Sequence, residues 1–389
     1  MDISDIKLGN VKEILNCIRR QNGLTKKDIA YDTGLSFSTV CTVCNALIEK
    51  GILYEEKAST SSVGRTPKRI LMQYDHFLTL CLDIQRRNVM GFAILNYRNE
   101  LLLHEQYDIS QVNGIREIAN YALEIFQSKR SLPEFQDSKF LGVGVVVSGI
   151  FDKHTEIIVN SAMVALEGAP VKAVVEDVFK MPCYVENESN LCAVAMQQRY
   201  PDMKDFLYMH ISQGIGVGIV CNGTLLSGYD GYAAEIAHFP FGNSRQRCPV
   251  CKNYGCVEME LSVSGLLHNN VWHETSESDQ VQWEKMAEAI RSGDPAYRDF
   301  LRERGKLIGK IFFILIDLFN PQKVFIGGEI SDIFEQIRPY TEEVIRKHCF
   351  MVRDRILPIQ CDRQSSLSMI YGLNHIMCEK WEPINGCLY

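Results

Sequence analysis

The sequence predicts an α/β protein in two parts, a small, mostly helical head and a larger two-lobed body. Three observations carry this. Helical periodicity dominates the first fifty residues and gives way to a Ser/Gly/Pro-rich hairpin. From about residue 75, β-rich apolar runs alternate with helices, and a unit of strand meander plus helix occurs twice. The length, 389 residues, suits two or three domains at roughly 100–200 residues each.

In the head, Val11, Ile14, Leu15 and Ile18 recur at helical spacing. Thr25 is suited to cap a short helix that Gly34 would end, and Ser36 to cap the next. That third helix turns Val40, Val43, Leu47 and Ile48 inward and Ser38, Thr39, Thr42 and Asn45 outward. A small, polar, uncharged face of this kind can enter a major groove. The stretch "LYEEKASTSSVGRTPKRILM" then reads as a β-hairpin carrying Arg65, Lys68 and Arg69, cations placed to reach phosphates. Together these predict a winged helix-turn-helix, with Ser36, Ser38, Thr39, Thr42, Asn45, Arg65, Lys68 and Arg69 as candidate DNA contacts. A three-helix protein-interaction module with a solvated loop is the competing reading.

Charge agrees with a DNA-binding head. Net charge is −7, yet residues 1–70 carry 11 Lys/Arg against 8 Asp/Glu. A mildly basic head at +3 thus precedes an acidic remainder at −10.

In the body, "FLTLCLDI", "VMGFAILN" and "ELLLHEQYDI" read as three consecutive antiparallel strands, and "IREIANYALEIFQS" as a helix. "FLGVGVVVSGIFD" is a buried strand entering a glycine turn. "CYVENESNLCAVAMQQRY" is a strand end opening a helix. "FLYMHISQGIGVGIVCNGTLLSG" supplies strands around an "NGT" hairpin. "LIGKIFFILIDLFNPQKVFIGGEI" is an apolar helix, a strand and a Gly-Gly turn.

No run reaches the roughly 18 apolar residues of a membrane helix. The opening "MDISDIKLGN" is polar and acidic, so a cytoplasmic protein without membrane association is expected. Most of the 14 cysteines sit singly in apolar runs, where a thiol packs as a small hydrophobe. Cys248, Cys251 and Cys256 cluster instead. With His238 ten residues before Cys248, they make a one-imidazole, three-thiolate set suited to a tetrahedral structural Zn²⁺. Three free thiols in a loop is the alternative.

Several motifs in order now carry a resemblance: "GRTP" in the hairpin, "GVGVVVSGIFD", "VENESNLCAVA", "GIGVGIVCNG", "AAEIAHFPFG", "CKNYGCVE" and "VFIGG". Over nearly its whole length the chain resembles the ROK family of repressors, open reading frames and sugar kinases, in its repressor branch. The resemblance implies a two-lobed, actin-like, ribonuclease-H-like sugar-kinase fold with a cleft between the lobes. It implies the same His-plus-three-Cys zinc site, although Pro249 and Val250 separate the first two cysteines where the family has one residue. It implies sugar contacts from Asn187, Glu188, Glu235, His238 and Glu258, with Ser148, Gly149 and Asn160 as further candidates. A helix-start carboxylate favoured by the dipole would also explain Glu188, and a solvated charge would explain Glu258. A metal on one nitrogen of His238 would fix the ring and leave the other for a sugar oxygen.

Three departures argue against phosphoryl transfer. The family's first phosphate loop, Asp-x-Gly-Gly-Thr, is here "DIQRRN", in which Asp83 is kept but Gln85, Arg86 and Arg87 are bulky. Glycine lets backbone amides approach phosphates, and large side chains crowd them. The second loop has Ser212 and Gln213 for Gly and Thr, although Gly214, Gly216 and Gly218 remain, as do Gly327 and Gly328 on the adenosine side. The catalytic Asp position is Glu188, whose extra methylene displaces the carboxyl by about 1 Å.

The expected protein is therefore a sugar-responsive repressor, catalytically inactive, binding a pseudo-palindromic operator as a homodimer or homotetramer. The alternatives are an ATP-dependent sugar kinase with an appended DNA-binding domain and a zinc- or thiol-sensing regulator. Expected limits are 1–73 for the head and 74–186 for lobe 1, with residues 366–389 packing back on it. Lobe 2 is expected at 187–365, with the zinc site and the oligomer interface.

Overall fold

The computed structural model describes residues 3–57, 68–86, 88–160, 166–269, 278–350 and 357–381. It begins with helix α1 (Ile3–Arg20), short strand β1 (Leu24–Thr25), α2 (Lys26–Thr33) and α3 (Phe37–Glu49), followed by β2 (Leu53–Lys57) and β3 (Lys68–Met72). Local chemistry sets the boundaries. Thr25 and Asp28 form a reciprocal capping box at the start of α2, and Gly34, at φ 69°, closes it. Ser36 Oγ accepts from Thr39 N at 3.1 Å and starts α3. Strands β2 and β3 pair antiparallel from Leu53↔Met72 to Lys57↔Lys68, and β1 adds a third strand at Leu24↔Ile70.

Two five-stranded sheets follow. The first uses β4 (Phe77–Arg86), β5 (Val89–Asn96), β6 (Leu101–Asp108), β7 (Lys139–Val147) and β10 (Cys183–Asn187). Helix α4 (Ile115–Arg130), the small pair β8 (Ile150–Phe151) and β9 (Ile158–Asn160), and α5 (Val171–Phe179) lie between them in sequence. Helix α6 (Glu188–Arg199) leads to the second sheet, built from β11 (Phe206–Ile211), β12 (Ile215–Cys221), β13 (Thr224–Leu225), β14 (Lys323–Gly327) and β15 (Ile359–Asp362). Helices α7 (Glu258–Leu261), α8 (Val263–His268), α9 (Asp279–Arg291), α10 (Arg298–Phe319), α11 (Phe334–His348) and α12 (Ser365–Lys380) complete the fold.

The sheet orders are β10-β7-β4-β5-β6 and β13-β12-β11-β14-β15. Each has a three-strand antiparallel meander whose first strand pairs parallel with the next strand of the sheet, and that strand with the last. The doubling legible in the sequence is thus a doubling of topology. At the "NGT" hairpin, Asn222 (φ 50°) and Gly223 (φ 72°) take the left-handed geometry that a tight two-residue turn requires.

The core of the head does not stop at β3. Val11, Ile14, Ile18, Val40 and Leu47 belong to one cluster with Tyr74, Phe77, Tyr97, Leu141, Cys378 and Trp381. Head, first sheet and the end of α12 therefore share buried surface.

Candidate functional site

The cleft is built from strand ends. Strands β7 and β10 run parallel, with Asn187 opposite Val147, so Ser148–Gly149 and Asn187–Glu188 emerge together. Ligands of α/β folds bind at such carboxyl ends. From the other sheet, the β11–β12 turn brings Gly214 close. A Cβ at Gly214 would lie 3.7 Å from Ser148 Oγ and 3.8 Å from Glu258 Oε2.

Asn187 caps α6, its Oδ1 accepting from Asn190 N at 2.9 Å and from Ser189 Oγ at 3.1 Å. Glu188 opens that helix, is 5% exposed, and its Oε2 has no hydrogen-bond partner. Burial, with the charges of Asp83, Glu235 and Glu258, pushes the Glu188 carboxyl up to about 8. Burial raises Glu235 to about 7, with Glu258 adding to it, and burial raises Glu258 likewise to about 7. Glu258 is thus no solvated surface charge. Gly149 sits at φ 111° beside Ser148. Asn160 ends β9, paired with Ile150.

A pH dependence follows. The folded protein holds the Glu188 proton more tightly than an unfolded chain with an ordinary value near 4.5. The folded state is therefore penalised as pH rises from about 4.5 through about 8. Chemical denaturation between pH 5 and pH 8 should show stability falling with pH, and Glu188→Gln should flatten that slope.

Beside the carboxyls, His238, Cys248, Cys251 and Cys256 bring four ligand atoms within 4.8 Å of one another. Cys251 Sγ and Cys256 Sγ are 3.1 Å apart, and Cys248 Sγ is 3.8 Å from His238 Nδ1. These residues could hold a metal ion. The chain turns tightly after Cys248, with Lys252 N donating to Cys248 O at 3.1 Å. Gly255, at φ 72°, crosses so close to Gly242 that a Cβ would meet its carbonyl at 2.8 Å. Burial lowers the affinity of His238 for a proton, which favours the neutral ring that a metal requires. Two backbone bonds join this cluster to the cleft. Val257 N donates to Phe239 O at 3.0 Å and Glu258 N to Ala237 O at 2.8 Å, bracketing His238.

On the phosphate-loop side, Gln85 is buried and folds back on Asp83. Its backbone N–H and its Nε2 donate to the two Asp83 carboxylate oxygens, each at 3.1 Å. Arg86 Nη2 lies 3.9 Å from Glu329 Oε1, across the cleft beyond Gly328. A cavity of about 290 Å³ remains there, lined by Gln85, Arg86, His210, Ser212, Trp283 and Gly328 among others. Arg87 lies outside the described residues.

Of the head residues, Ser38, Thr42 and Asn45 are exposed and Thr39 is half-buried. Ser36 is spent on capping α3, and Thr42 Oγ1 donates to Ser38 O at 3.0 Å. Asn45 Oδ1 accepts from Lys26 Nζ at 2.7 Å. Lys68 pairs with Glu55, Arg69 is exposed, and Arg65 lies outside the described residues.

Sequence reasoning missed His210, and although it expected the C-terminal helix to pack back on lobe 1, as α12 does against β4 and β7, it missed that α12 also reaches the head. His210 is buried with Nδ1 unpartnered, and burial pushes it down to about 4. Its signal was one histidine inside an apolar strand. Helix α12 starts at the cavity, where Ser365 Oγ accepts from Gly328 N at 3.1 Å and Met369 Sδ accepts from Gln85 Nε2 at 3.3 Å. It then packs on α6, whose first turn carries Glu188. Gly372 permits this, since a Cβ there would lie 2.0 Å from Leu191 O. Its last turns and the residue after them reach both the head and the first sheet. His375 Nδ1 is 3.4 Å from Arg19 Nη2, Tyr97 Oη donates to Cys378 O at 3.4 Å, and Trp381 packs on Phe77 with ring centroids 5.1 Å apart.

Two like-ordered sheets around an acid-lined cleft, with an added N-terminal helical unit, define the two-lobed, actin-like class to which sugar kinases belong. The ROK family model matches residues 80–362, and the chain belongs to the ROK family. Among similar proteins are the xylose repressor of Caldicellulosiruptor bescii, 22% identical over 92% of each chain, and the "DNA-binding transcriptional dual regulator NagC" of Escherichia coli K12. The latter is 23% identical, covering 93% of this chain and 91% of its own. A solved ROK family transcriptional regulator, described as a homolog of the E. coli MLC protein, superposes with TM-score 0.81 at 20% identity. That likeness covers 97% of this chain and 98% of that one. The ROK hexokinase of Thermus thermophilus superposes with TM-score 0.61 at 20% identity, over 77% of this chain and 97% of its own. No helix among the described residues is long and apolar enough to cross a membrane.

Proposed function

We propose that this protein is a sugar-responsive, DNA-binding transcriptional regulator, a repressor of carbohydrate-utilisation genes acting in the cytoplasm. Residues 1–73 are the winged helix-turn-helix, reading an operator through Ser38, Thr39, Thr42 and Asn45 and gripping phosphates through Arg65, Lys68 and Arg69. Ser36 sets the start of that helix. Residues 74–186 form lobe 1, to which the C-terminal helix returns, and 187–365 form lobe 2. Asn187, Glu188, Glu235, His238 and Glu258 hold a sugar, with Ser148, Gly149 and Asn160 at its edge. A homodimer would match two half-sites.

One observation carries the reading: a single helix, α12, touches the cleft-side cavity, the Glu188 helix and the head. Lobe movement on sugar binding therefore has a mechanical route to the DNA-reading unit. Repressor relatives spanning more than nine-tenths of the chain support it.

His238, Cys248, Cys251 and Cys256 would hold a structural Zn²⁺, which when bound supplies charge and a fixed corner but no reaction step. The chain's own contribution is the bracketed His238, whose Nδ1 faces the sulfurs and whose Nε2 is left for a sugar oxygen.

The body would not act as a kinase. Gln85 fills the position where a phosphate loop needs a small residue and ties up Asp83. Incubation with Mg-ATP and a hexose panel should give no sugar phosphate. The remaining cavity near Gly328 favours the second reading, an ATP-dependent kinase, and sugar-dependent ATP turnover would establish it.

The test is selection of bound duplexes from a random DNA pool. Enrichment of two inverted half-sites is expected, with affinity falling at least about tenfold for Asn45→Ala. Failure of any sequence to enrich would overturn the proposal.

A further inference from the structure

A second cavity lies outside the cleft, where the head meets the first sheet. Its volume is about 820 Å³, within the range of small-molecule sites. Its walls come from the last turn of α1, the Tyr74 segment, the β5–β6 turn and the C-terminal parts of α6 and α12. The charge of these walls is lopsided. Arg19 and Arg20 enter from the head and Arg98 from the sheet, and Glu379 is the carboxylate among the described lining residues. Glu379 is already answered, its Oε1 lying 3.1 Å from His375 Nε2. Arg98 meets Glu100 at 3.5 Å, but both side chains are half-exposed, and such a pair is weak.

Two of the guanidiniums are held in place by rings rather than by acids. Arg19 lies over Tyr97, 5.1 Å from the ring centroid, and Arg98 over Tyr74 at 4.4 Å. Both tyrosines are buried. Face contact with a ring fixes a guanidinium while its N–H donors, which lie in its own plane, stay available to other partners. Arg19 Nη2 directs one of them at His375 Nδ1, 3.4 Å away. An arginine only donates, so Nδ1 accepts and the ring proton sits on Nε2, toward Glu379. A neutral imidazole therefore steadies Arg19 without cancelling its charge.

A fixed fork of donors matches the oxygens of a phosphate. Cations on the two sides of a junction repel one another, and an anion between them converts that repulsion into attraction. A phosphomonoester, with close to two negative charges at neutral pH, suits the place. We propose that this junction binds a phosphomonoester, its phosphate held by Arg19 and Arg20 of the head and Arg98 of the sheet. The volume leaves room for the organic part of a small metabolite beside the phosphate. The bound anion ties the head to the first sheet, so the protein has a second input that reaches the head without passing through the cleft.

The test is isothermal titration of the full-length protein with ribose 5-phosphate, inorganic phosphate and ribose, at constant ionic strength so that general screening does not vary. Ribose 5-phosphate should bind at one site per chain, at least about tenfold more tightly than ribose, and Arg20→Gln and Arg98→Gln should each weaken it by about tenfold or more, as loss of a hydrogen bond to a charged group does. Arg20 is exposed, so Arg20→Gln should keep its melting temperature, which separates lost binding from lost folding. Inorganic phosphate that matches the ester would support the site and make free phosphate its occupant, whereas a tighter ester would support it and make a phosphorylated metabolite the occupant. Ester binding no tighter than ribose, or equal affinity in both variants, overturns the inference. So does loss of operator affinity in Arg20→Gln when neither phosphate compound binds the unaltered protein, which would make these arginines contacts to the DNA backbone.

Discussion

Replacing Gly372 with alanine should destabilise the protein and weaken the communication between its cleft and its head. In an open helix this substitution stabilises by about 1 kcal/mol. Here the new Cβ would stand 2.0 Å from Leu191 O, a backbone atom of α6 that cannot rotate away. Overpacking of this kind costs about 1–3 kcal/mol, so the clash wins and the net effect is unfavourable. The helices must separate, and Leu191 lies one turn from Glu188. Thermal unfolding should show a lower midpoint. The sugar-induced change in DNA affinity should shrink in the folded variant, whereas the affinity for DNA without sugar should change less. An unchanged melting temperature would show that α6 and α12 are not packed as described.

The second large effect concerns the metal cluster. Cys256→Ser should reduce zinc content from about one per chain to near none, since removal of a ligand exceeds the roughly 10–100-fold loss that even outer partners cause. Sugar affinity should fall with it, by about tenfold. The reason is geometric. Cys256 is followed directly by Val257 and Glu258, whose N–H groups bracket His238, so one loosened loop frees a ligand residue and two sugar contacts together. Zinc measured by mass spectrometry and sugar binding by calorimetry check the two halves. Sugar binding that survives intact in a zinc-free variant would separate the cluster from the cleft.

Much of this was legible in the sequence because the signals are local. Thr25, Gly34 and Ser36 mark helix ends by capping chemistry, and the structure places caps at all three. Alternating strands with an "NGT" turn define their own register. The cysteines lie eight residues apart at most, so spacing alone brings them together, and His238 is near enough to join.

What the sequence hid depends on long-range contact. Gln85 could be seen as too large for a phosphate loop, but not that its amide would turn back onto Asp83. His210 lies in an apolar strand, and only the fold shows that one ring nitrogen is left over beside a cavity. Gly372 is one glycine in a helix until α6 is placed against it. Nor does periodicity show that Trp381 and Cys378 finish the core of a head more than 300 residues earlier.

The most direct test of the account is fluorescence anisotropy of one selected duplex, titrated with the protein in the presence and absence of a saturating free sugar. Linkage requires that a ligand coupled to the head change the DNA affinity, by about 5–150-fold for typical coupling energies. The account predicts a change of that size with the free sugar and no further change on adding Mg-ATP. DNA binding that is indifferent to every sugar bound by the cleft would contradict it.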